Sequence, residues 1–215
     1  MTGTALLGTT YFGPIQWYQK LNVYSTVLLE RYDHFVKQTY RNRCLIAMTQ
    51  GVQALTIPVE RNGGEKCLTK DVRISDHGNW RRLHWNALMS AYGESPFFEY
   101  YADDIRPFFE KRWDYLFDFN LEIINTLCEL LDIHPDIVLT EDYQSVSRED
   151  IDDYREVIRP KRPGCDSSFL PRQYWQVYQQ KLGFLPNMSI LDLLFNMGNE
   201  AIFFLSATAG GNQPL

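Results

Sequence analysis

The first 31 residues alternate between strand-like and helix-like runs, and this order restricts the fold more than any other feature of the chain. Leu6–Phe12 is short and strand-like, and Gly13-Pro14 marks a turn after it. Ile15–Leu21 then has helical spacing, and Ser25–Arg31 is strand-like until its last two residues. Two strands that share a sheet and are joined by a helix run parallel through a right-handed crossover. The opening therefore predicts a βαβ unit.

The next stretch predicts further strands. Cys44–Thr49 and Val52–Val59 flank Gln50-Gly51, and a glycine at this place favours a tight antiparallel hairpin because it tolerates positive φ. Leu68–Ile74 alternates apolar and polar residues and predicts an edge strand, and Asp136–Thr140 predicts one more strand.

Helical spacing dominates after Asn79. The apolar stripe of the first helix there is Trp80, Leu83, His84, Ala87, Leu88 and Ala91. The other predicted helices are Ala102–Trp113, Leu116–Leu131, Arg172–Leu182 and Ser189–Leu205, with Ser189 as an N-cap. We therefore predict an α/β (or α+β) fold, with a mixed β-sheet formed mainly by the N-terminal half and a largely helical C-terminal half.

Composition limits the class of protein. The chain has 215 residues, 45% of them hydrophobic, which suits one large core. We predict a single domain over residues 1–215, with a charged, proline-containing surface excursion at about 146–168. A formal charge of -6 argues against nucleic-acid binding, which requires a basic surface.

The chain offers no membrane, metal or cofactor signal. No apolar run reaches the roughly 20 residues that a membrane helix needs, so we expect no membrane insertion. Residues 1–10 lack the charged and apolar regions of a signal peptide, which predicts a cytoplasmic protein. The four cysteines form no CxxC pair, so no metal site is expected. The sequence leaves the cofactor and the oligomeric state unknown.

A polar cluster directly before the predicted hairpin is the best candidate for a binding site. Its members are Gln38, Tyr40, Arg41, Asn42 and Arg43. Arginine grips phosphates and carboxylates through a bidentate fork, and amide side chains add directional hydrogen bonds. The cluster therefore predicts an anion site, and the alternative is a solvated turn with surface ion pairs.

Candidates for proton transfer are fewer. Glu30, at the end of the second predicted strand, and His84 could act as acid and base, although a local loop network and a core histidine are the alternatives. Cys44 follows the arginines and could be a nucleophile or an inert buried thiol. Tyr11 and Trp17 could line a ring-binding wall or belong to the core.

A second group of cations lies on the helix after Asn79. Arg81 and Arg82 accompany Trp80 and the His84-Trp85-Asn86 triplet. These side chains cannot all face the core, because a helix buries only one stripe. This helix therefore carries another candidate anion site.

Several motifs resemble one family over nearly the whole chain. Tyr11-Phe12-Gly13-Pro14, Trp17–Leu21 and Gln38–Arg43 before Leu55–Val59 resemble the WbqC-like protein family. Trp80, His84 and Ser189–Leu194 extend the resemblance. Many relatives carry Gln-Pro where this chain has Thr9-Thr10, so a role of that glutamine does not carry over.

The resemblance implies an uncharacterised bacterial protein whose relatives often occur with surface-polysaccharide biosynthesis genes. It is compatible with a transferase that acts on a nucleotide-linked sugar or on an acyl or aminoacyl donor, so the expected partner is a nucleotide-sugar or another phosphorylated small molecule. The alternative is a non-catalytic binding or scaffold protein in a cell-envelope assembly pathway.

Overall fold

The computed structural model describes residues 3–60, 66–145 and 150–206. Within these ranges the strands are β1 (Thr4–Gly8), β2 (Thr26–Glu30), β3 (Arg43–Met48), β4 (Gly51–Thr56), β5 (Asp136–Leu139) and β6 (Ile151–Asp153). The helices are α1 (Ile15–Val23), α2 (Trp80–Tyr92), α3 (Phe98–Ile105), α4 (Pro107–Glu110), α5 (Leu116–Leu130), α6 (Gln179–Leu182), α7 (Ile190–Met197) and α8 (Ala201–Phe204). The predicted α/β class is confirmed, with most strands in the N-terminal half.

Strand directions are mixed, as predicted, but they divide between two sheets. One sheet is parallel, with the order β5-β2-β1-β6, and Leu6 of β1 lies between Leu28 and Asp153. The predicted βαβ unit is therefore present as β1, α1 and β2. The other sheet is the predicted antiparallel hairpin of β3 and β4, whose turn contains Gly51 at φ 119°.

The order of the parallel sheet reverses at β1. The chain leaves β1 through α1 toward β2 and β5 on one side, whereas β6 pairs with the other side of β1. In parallel α/β sheets, the carboxyl ends of two such strands diverge into a crevice, and ligands bind there. The fold thus singles out the carboxyl ends of β1 and β6.

Several predicted elements differ in the structure. Strand β1 ends at Gly8, four residues before the predicted end at Phe12. Leu68–Ile74 is not an edge strand but contains a 3-10 turn at Thr69–Asp71, because the backbone N–H of Thr69 bonds to the loop carbonyl of Asp33 (2.8 Å).

The helix predicted over Ala102–Trp113 is wrong in its bounds. Helix α3 begins earlier, at Phe98, and ends at Ile105, and Pro107 starts the separate short helix α4. Proline cannot donate the hydrogen bond that would continue α3.

The helix predicted over Arg172–Leu182 is limited to α6. The side chains of Tyr174 and Gln176 both bond to the buried carboxylate of Asp192, at 2.5 and 2.8 Å. These tertiary contacts hold the preceding chain in an irregular conformation.

The segment predicted as a surface excursion contributes to the sheet. Residues 146–149 lie outside the described part of the chain, but Ile151–Asp153 forms β6, and Arg155 and Ile158 are buried. A strand of three residues is too short to show a periodic pattern in the sequence. It forms because it pairs with β1.

The apolar stripe of α2 is narrower than predicted. Trp80, His84, Leu88 and Ala91 are buried, whereas Leu83 is 59% exposed. Leu83 lies one residue before His84 on the helix, about 100° around the axis, and so falls outside the buried stripe.

Leu88→Ala and Leu83→Ala test this assignment on one helix. Leu88→Ala should lower the free energy of unfolding by about 2–5 kcal/mol, because it removes packed apolar atoms and leaves a cavity. Leu83→Ala should change it by less than about 0.5 kcal/mol. Urea unfolding of both variants measures this, and equal losses would contradict the described face of α2.

Candidate functional site

A small polar cleft, here called the β1–β6 cleft, lies at the carboxyl ends of those two strands. Three segments line it together with Trp17: Gly8–Thr10 after β1, Thr39–Arg41 before β3, and Tyr154, Arg155 and Ile158 after β6. Its volume is about 10 Å³, which is close to the room that one water molecule needs. The cleft occupies the crevice that the sheet topology singles out.

Arg41 is the central side chain of the cleft and is 5% exposed. Its guanidinium lies across the backbone of Gly8, so that a Cβ at position 8 would be 3.2 Å from Nη2. Nη2 donates to the Asp33 carboxylate, which also accepts from the Thr69 hydroxyl at 2.5 Å. Asn120 donates to the carbonyl of Arg41 at 2.7 Å. Arg41 is therefore fixed through both its side chain and its backbone.

Three buried polar groups of the cleft residues lack a hydrogen-bond partner. These groups are the Nε–H of Arg41 and the hydroxyls of Thr9 and Thr10. None of them has a partner within residues 3–60, 66–145 and 150–206. A buried polar group without a partner costs about 1–3 kcal/mol. Such a group in a native protein requires an explanation, and a bound ligand is one.

Arg155 supplies the second guanidinium of the cleft. It forms ion pairs with Glu30 at 3.0 Å and with Asp153 at 2.8 Å, and its guanidinium carbon lies 5.1 Å from the ring centroid of Tyr143. Carboxylates outside the cleft lining thus pair with both arginines. These ion pairs fix the positions of the two guanidinium groups beside the cleft.

Glu30 joins the ends of three strands. Its fully buried carboxylate accepts from Thr140 Oγ1 after β5 at 2.9 Å, from the backbone N–H of Gln144 at 3.0 Å and from Arg155 after β6. The backbone N–H of Tyr32 donates a fourth bond at 2.8 Å. Glu30 does not line the cleft, and proton transfer by this residue stays a prediction.

His84 lies in the aromatic core and not among the residues that line the cleft. Its Nδ1 is 2.9 Å from the Tyr11 hydroxyl, and its ring centroid is 5.2 Å from that of Trp80. Burial lowers the pKa of His84 to about 4, against a weaker opposing effect of the Thr56 carbonyl. His84 is therefore neutral near pH 7, which is consistent with the alternative of a core histidine.

The other predicted ligand-binding residues divide into two groups. Tyr40 and Trp17 line the cleft, where burial raises the pKa of Tyr40 to about 12 and the Trp17 indole donates to the Gly8 carbonyl at 2.9 Å. Asn42 and Arg43 instead bond to Ile57 O and Thr56 Oγ1, each at 3.0 Å.

Three further predicted residues lie away from the cleft lining. Gln38 is exposed and accepts from Lys161 at 3.3 Å. Tyr11 is fully buried against Phe12 and Phe119. Cys44 is buried too, and burial raises the pKa of its thiol, which favours the inert alternative.

Sequence reasoning missed two residues of the cleft or its support, and the partner of a third. Thr9 looked like the continuation of a strand, and Arg155 lay in a segment predicted as a surface excursion. Asp33 follows the second strand, and the sequence offered no sign that its partner would be Arg41, eight residues later.

The fold and the cleft define an α/β protein with a polar cleft at the carboxyl edge of a parallel sheet. The model of the WbqC-like protein family matches residues 9–160, so this chain belongs to that family. The matched range contains all three segments of the cleft except Gly8.

The chain is also similar to a protein of Mycobacterium tuberculosis (strain ATCC 25618 / H37Rv) named "Uncharacterized protein Rv1507c". The two are 26% identical over 217 residues, which cover 91% of each chain. No solved structure matches the chain. Among the described residues, no helix has the length and apolar character needed to cross a bilayer.

Replacing Asp33 by asparagine tests the support of Arg41. Asp33→Asn should lower the free energy of unfolding by roughly 3–5 kcal/mol, because it leaves a buried guanidinium without its counter-charge. Asp71→Asn is the matched control, since Asp71 forms an exposed pair with Lys70 at 3.4 Å and should matter by less than about 1 kcal/mol. Equal effects in chemical unfolding would show that the Arg41 pair is not a structural anchor.

The His84 environment predicts a defined pH dependence. Its folded pKa of about 4 lies below the ordinary 6.5, so the unfolded chain binds the proton more readily. This residue should therefore leave stability intact above pH 6.5 and reduce it by about 3 kcal/mol as the pH falls toward 4.

Unfolding free energies between pH 4 and 7 check this pH dependence. The change in unfolding free energy per pH unit should be smaller in His84→Gln than in the wild type. It should be unchanged in His134→Gln, because His134 is exposed. Identical slopes in the wild type and His84→Gln would contradict a neutral buried His84.

Proposed function

We propose that this protein binds the phosphate of a nucleotide-linked sugar in the β1–β6 cleft. We further propose that it is a transferase acting on that sugar or on an acyl or aminoacyl donor in surface-polysaccharide biosynthesis. The observation that carries the proposal is the buried Nε–H of Arg41, which lacks a partner among the described residues and lies where the sheet order reverses.

The cleft presents hydrogen-bond donors. Tyr40, with a pKa raised to about 12, keeps its phenol proton near pH 7, and Arg41 retains an uncommitted N–H. The charged side chains that line the cleft are Arg41 and Arg155, and the carboxylates that pair with them, Asp33, Glu30 and Asp153, are not part of the lining. Donors that converge on one point favour a phosphoryl or carboxylate oxygen as the bound group.

The volume of the cleft limits what enters it. About 10 Å³ accommodates one small polar group, such as a phosphoryl oxygen, and not a whole nucleotide-linked sugar. In this proposal the rest of the ligand lies outside, over the exposed side chains of Gln38 and Lys161, which bond to each other at 3.3 Å.

The arrangement favours electrostatic stabilisation over proton transfer by the protein. Fixed donors stabilise negative charge that develops on a leaving phosphate, and they do so without reorganising during the reaction. Glu30 and His84 would then act as positioning residues, since Glu30 accepts four hydrogen bonds and His84 is bonded to Tyr11. The family resemblance supports the assignment to polysaccharide biosynthesis.

Arg41→Lys, with Arg43→Lys as its matched control, tests this function. Lysine keeps the charge beside Asp33 but removes the free Nε–H, so we expect at least a roughly tenfold loss of affinity. Arg43 bonds to Thr56 outside the cleft, so its substitution should leave affinity unchanged.

Thermal unfolding against nucleotides, nucleotide sugars, coenzyme A thioesters and sugar phosphates is the measurement. A ligand that binds only the folded state at a hundredfold excess over Kd adds about 2.7 kcal/mol of stability. We expect one class of ligand to raise the unfolding midpoint. This rise should persist in Arg43→Lys and become smaller in Arg41→Lys. A shift of equal size in both variants would exclude the Arg41 site.

A specific surface favours the second candidate, a non-catalytic binding or scaffold protein. Phe97, Tyr100 and Met197 line an open groove of about 340 Å³, and Tyr100 is 73% exposed. Exposed aromatic residues that group together mark protein-protein contacts. The absence of any thermal shift with the whole panel would favour this candidate over the transferase.

A further inference from the structure

A second groove, here called the arginine groove, lies between α2 and α4. It has a volume of about 360 Å³, which is within the range of small-molecule sites. None of the residues that line it lines the β1–β6 cleft. An inference about this groove is therefore independent of the function proposed above.

The charges of the groove are unbalanced. Its lining contains two carboxylates, Asp76 and Glu110, and four arginines: Arg81, Arg82, Arg106 and Arg112. The formal charge of the lining is thus +2, on a chain whose net charge is -6. Such a local concentration of guanidinium groups attracts anions against the overall charge of the protein.

The arginines differ in how firmly they are held. Arg81 is fixed by Asp76 at 2.5 Å and by the Lys111 carbonyl at 3.1 Å, and Arg106 pairs with Glu110 at 2.6 Å. Arg82, which is exposed, has neither a hydrogen bond nor an ion pair with any residue that the structure describes. The groove therefore combines a positioned guanidinium with a free one.

Aromatic side chains form the apolar part of the groove. Trp85 and Phe109 line it, with ring centroids 5.8 Å apart, and Phe109 stacks on Phe12 of the core at 6.0 Å. This packing fixes both rings, so a planar ligand meets a preformed apolar wall.

We propose that the arginine groove binds a ligand that carries both phosphate and a planar ring, namely a nucleoside diphosphate. The free guanidinium of Arg82 binds the phosphates through forked hydrogen bonds. Arg81, whose Nε and Nη1 already donate to the Lys111 carbonyl and to Asp76, adds positive charge beside them. Trp85 and Phe109 contact the base. Neither part of the groove suffices alone, because Arg82 is exposed to solvent and the aromatic wall consists of only Trp85 and Phe109 among the lining residues.

Calorimetric titration of the full chain with ADP, and separately with inorganic pyrophosphate, tests the proposal. We expect ADP to bind more tightly than pyrophosphate, and Arg82→Gln to weaken ADP binding roughly tenfold, as expected for the loss of a charge-assisted hydrogen bond. Lys66→Gln removes the same charge from an exposed residue outside the groove and should leave affinity unchanged. Trp85→Leu should reduce ADP binding but not pyrophosphate binding.

Four outcomes would overturn the proposal. They are no ADP binding at millimolar concentration, equal affinity for pyrophosphate and ADP, equal losses in Arg82→Gln and Lys66→Gln, and an unchanged affinity in Arg82→Gln. Thermal unfolding of each variant without ligand shows that it is folded, which Arg82→Gln should be because Arg82 has no partner among the described residues. ADP binding that Arg41→Lys abolishes and Arg82→Gln spares would instead assign ADP to the β1–β6 cleft.

Discussion

The buried pair of Arg41 and Asp33 determines the shape of the carboxyl edge of the sheet. The guanidinium lies against Gly8, where a side chain would press on it, and Asp33 holds it there together with Thr69. A buried charge without a partner costs several kcal/mol, so neither member of the pair can be lost alone. The loop before β3 is therefore tied to the end of β1, and the hairpin is anchored to the parallel sheet.

A second buried pair, Arg155 with Glu30, completes this edge on the other side. Glu30 ends β2 and contacts the chain that follows β5, while Arg155 follows β6. The two pairs together hold the ends of all four parallel strands and leave two guanidinium groups beside Thr9 and Thr10. This arrangement preorganises a donor-rich cleft, which is the basis of the proposed phosphate site.

The sequence predicts the local elements of this fold better than it predicts the site. The βαβ opening, the hairpin and α5 have clear periodic or turn signals, and Arg41 lies in the polar cluster that the sequence predicts to bind an anion. Arg43 belongs to the same cluster yet bonds to Thr56 across the hairpin, because it is the first residue of β3 and lies opposite Thr56 in the hairpin register, whereas Arg41 precedes the strand. The contribution of Arg155 depends on β6, a strand of three residues whose existence follows from tertiary pairing and not from local pattern.

The most direct test of the cleft is the NMR signal of the Arg41 Nε–H during titration with a nucleotide-linked sugar that raises the unfolding midpoint. Variants lacking one arginine each assign the signals of Arg41, Arg155 and Arg43. We expect the Arg41 signal to shift with ligand concentration and the Arg43 signal to stay in place. A bound ligand that leaves the Arg41 signal unchanged would contradict the assignment of this cleft as the binding site.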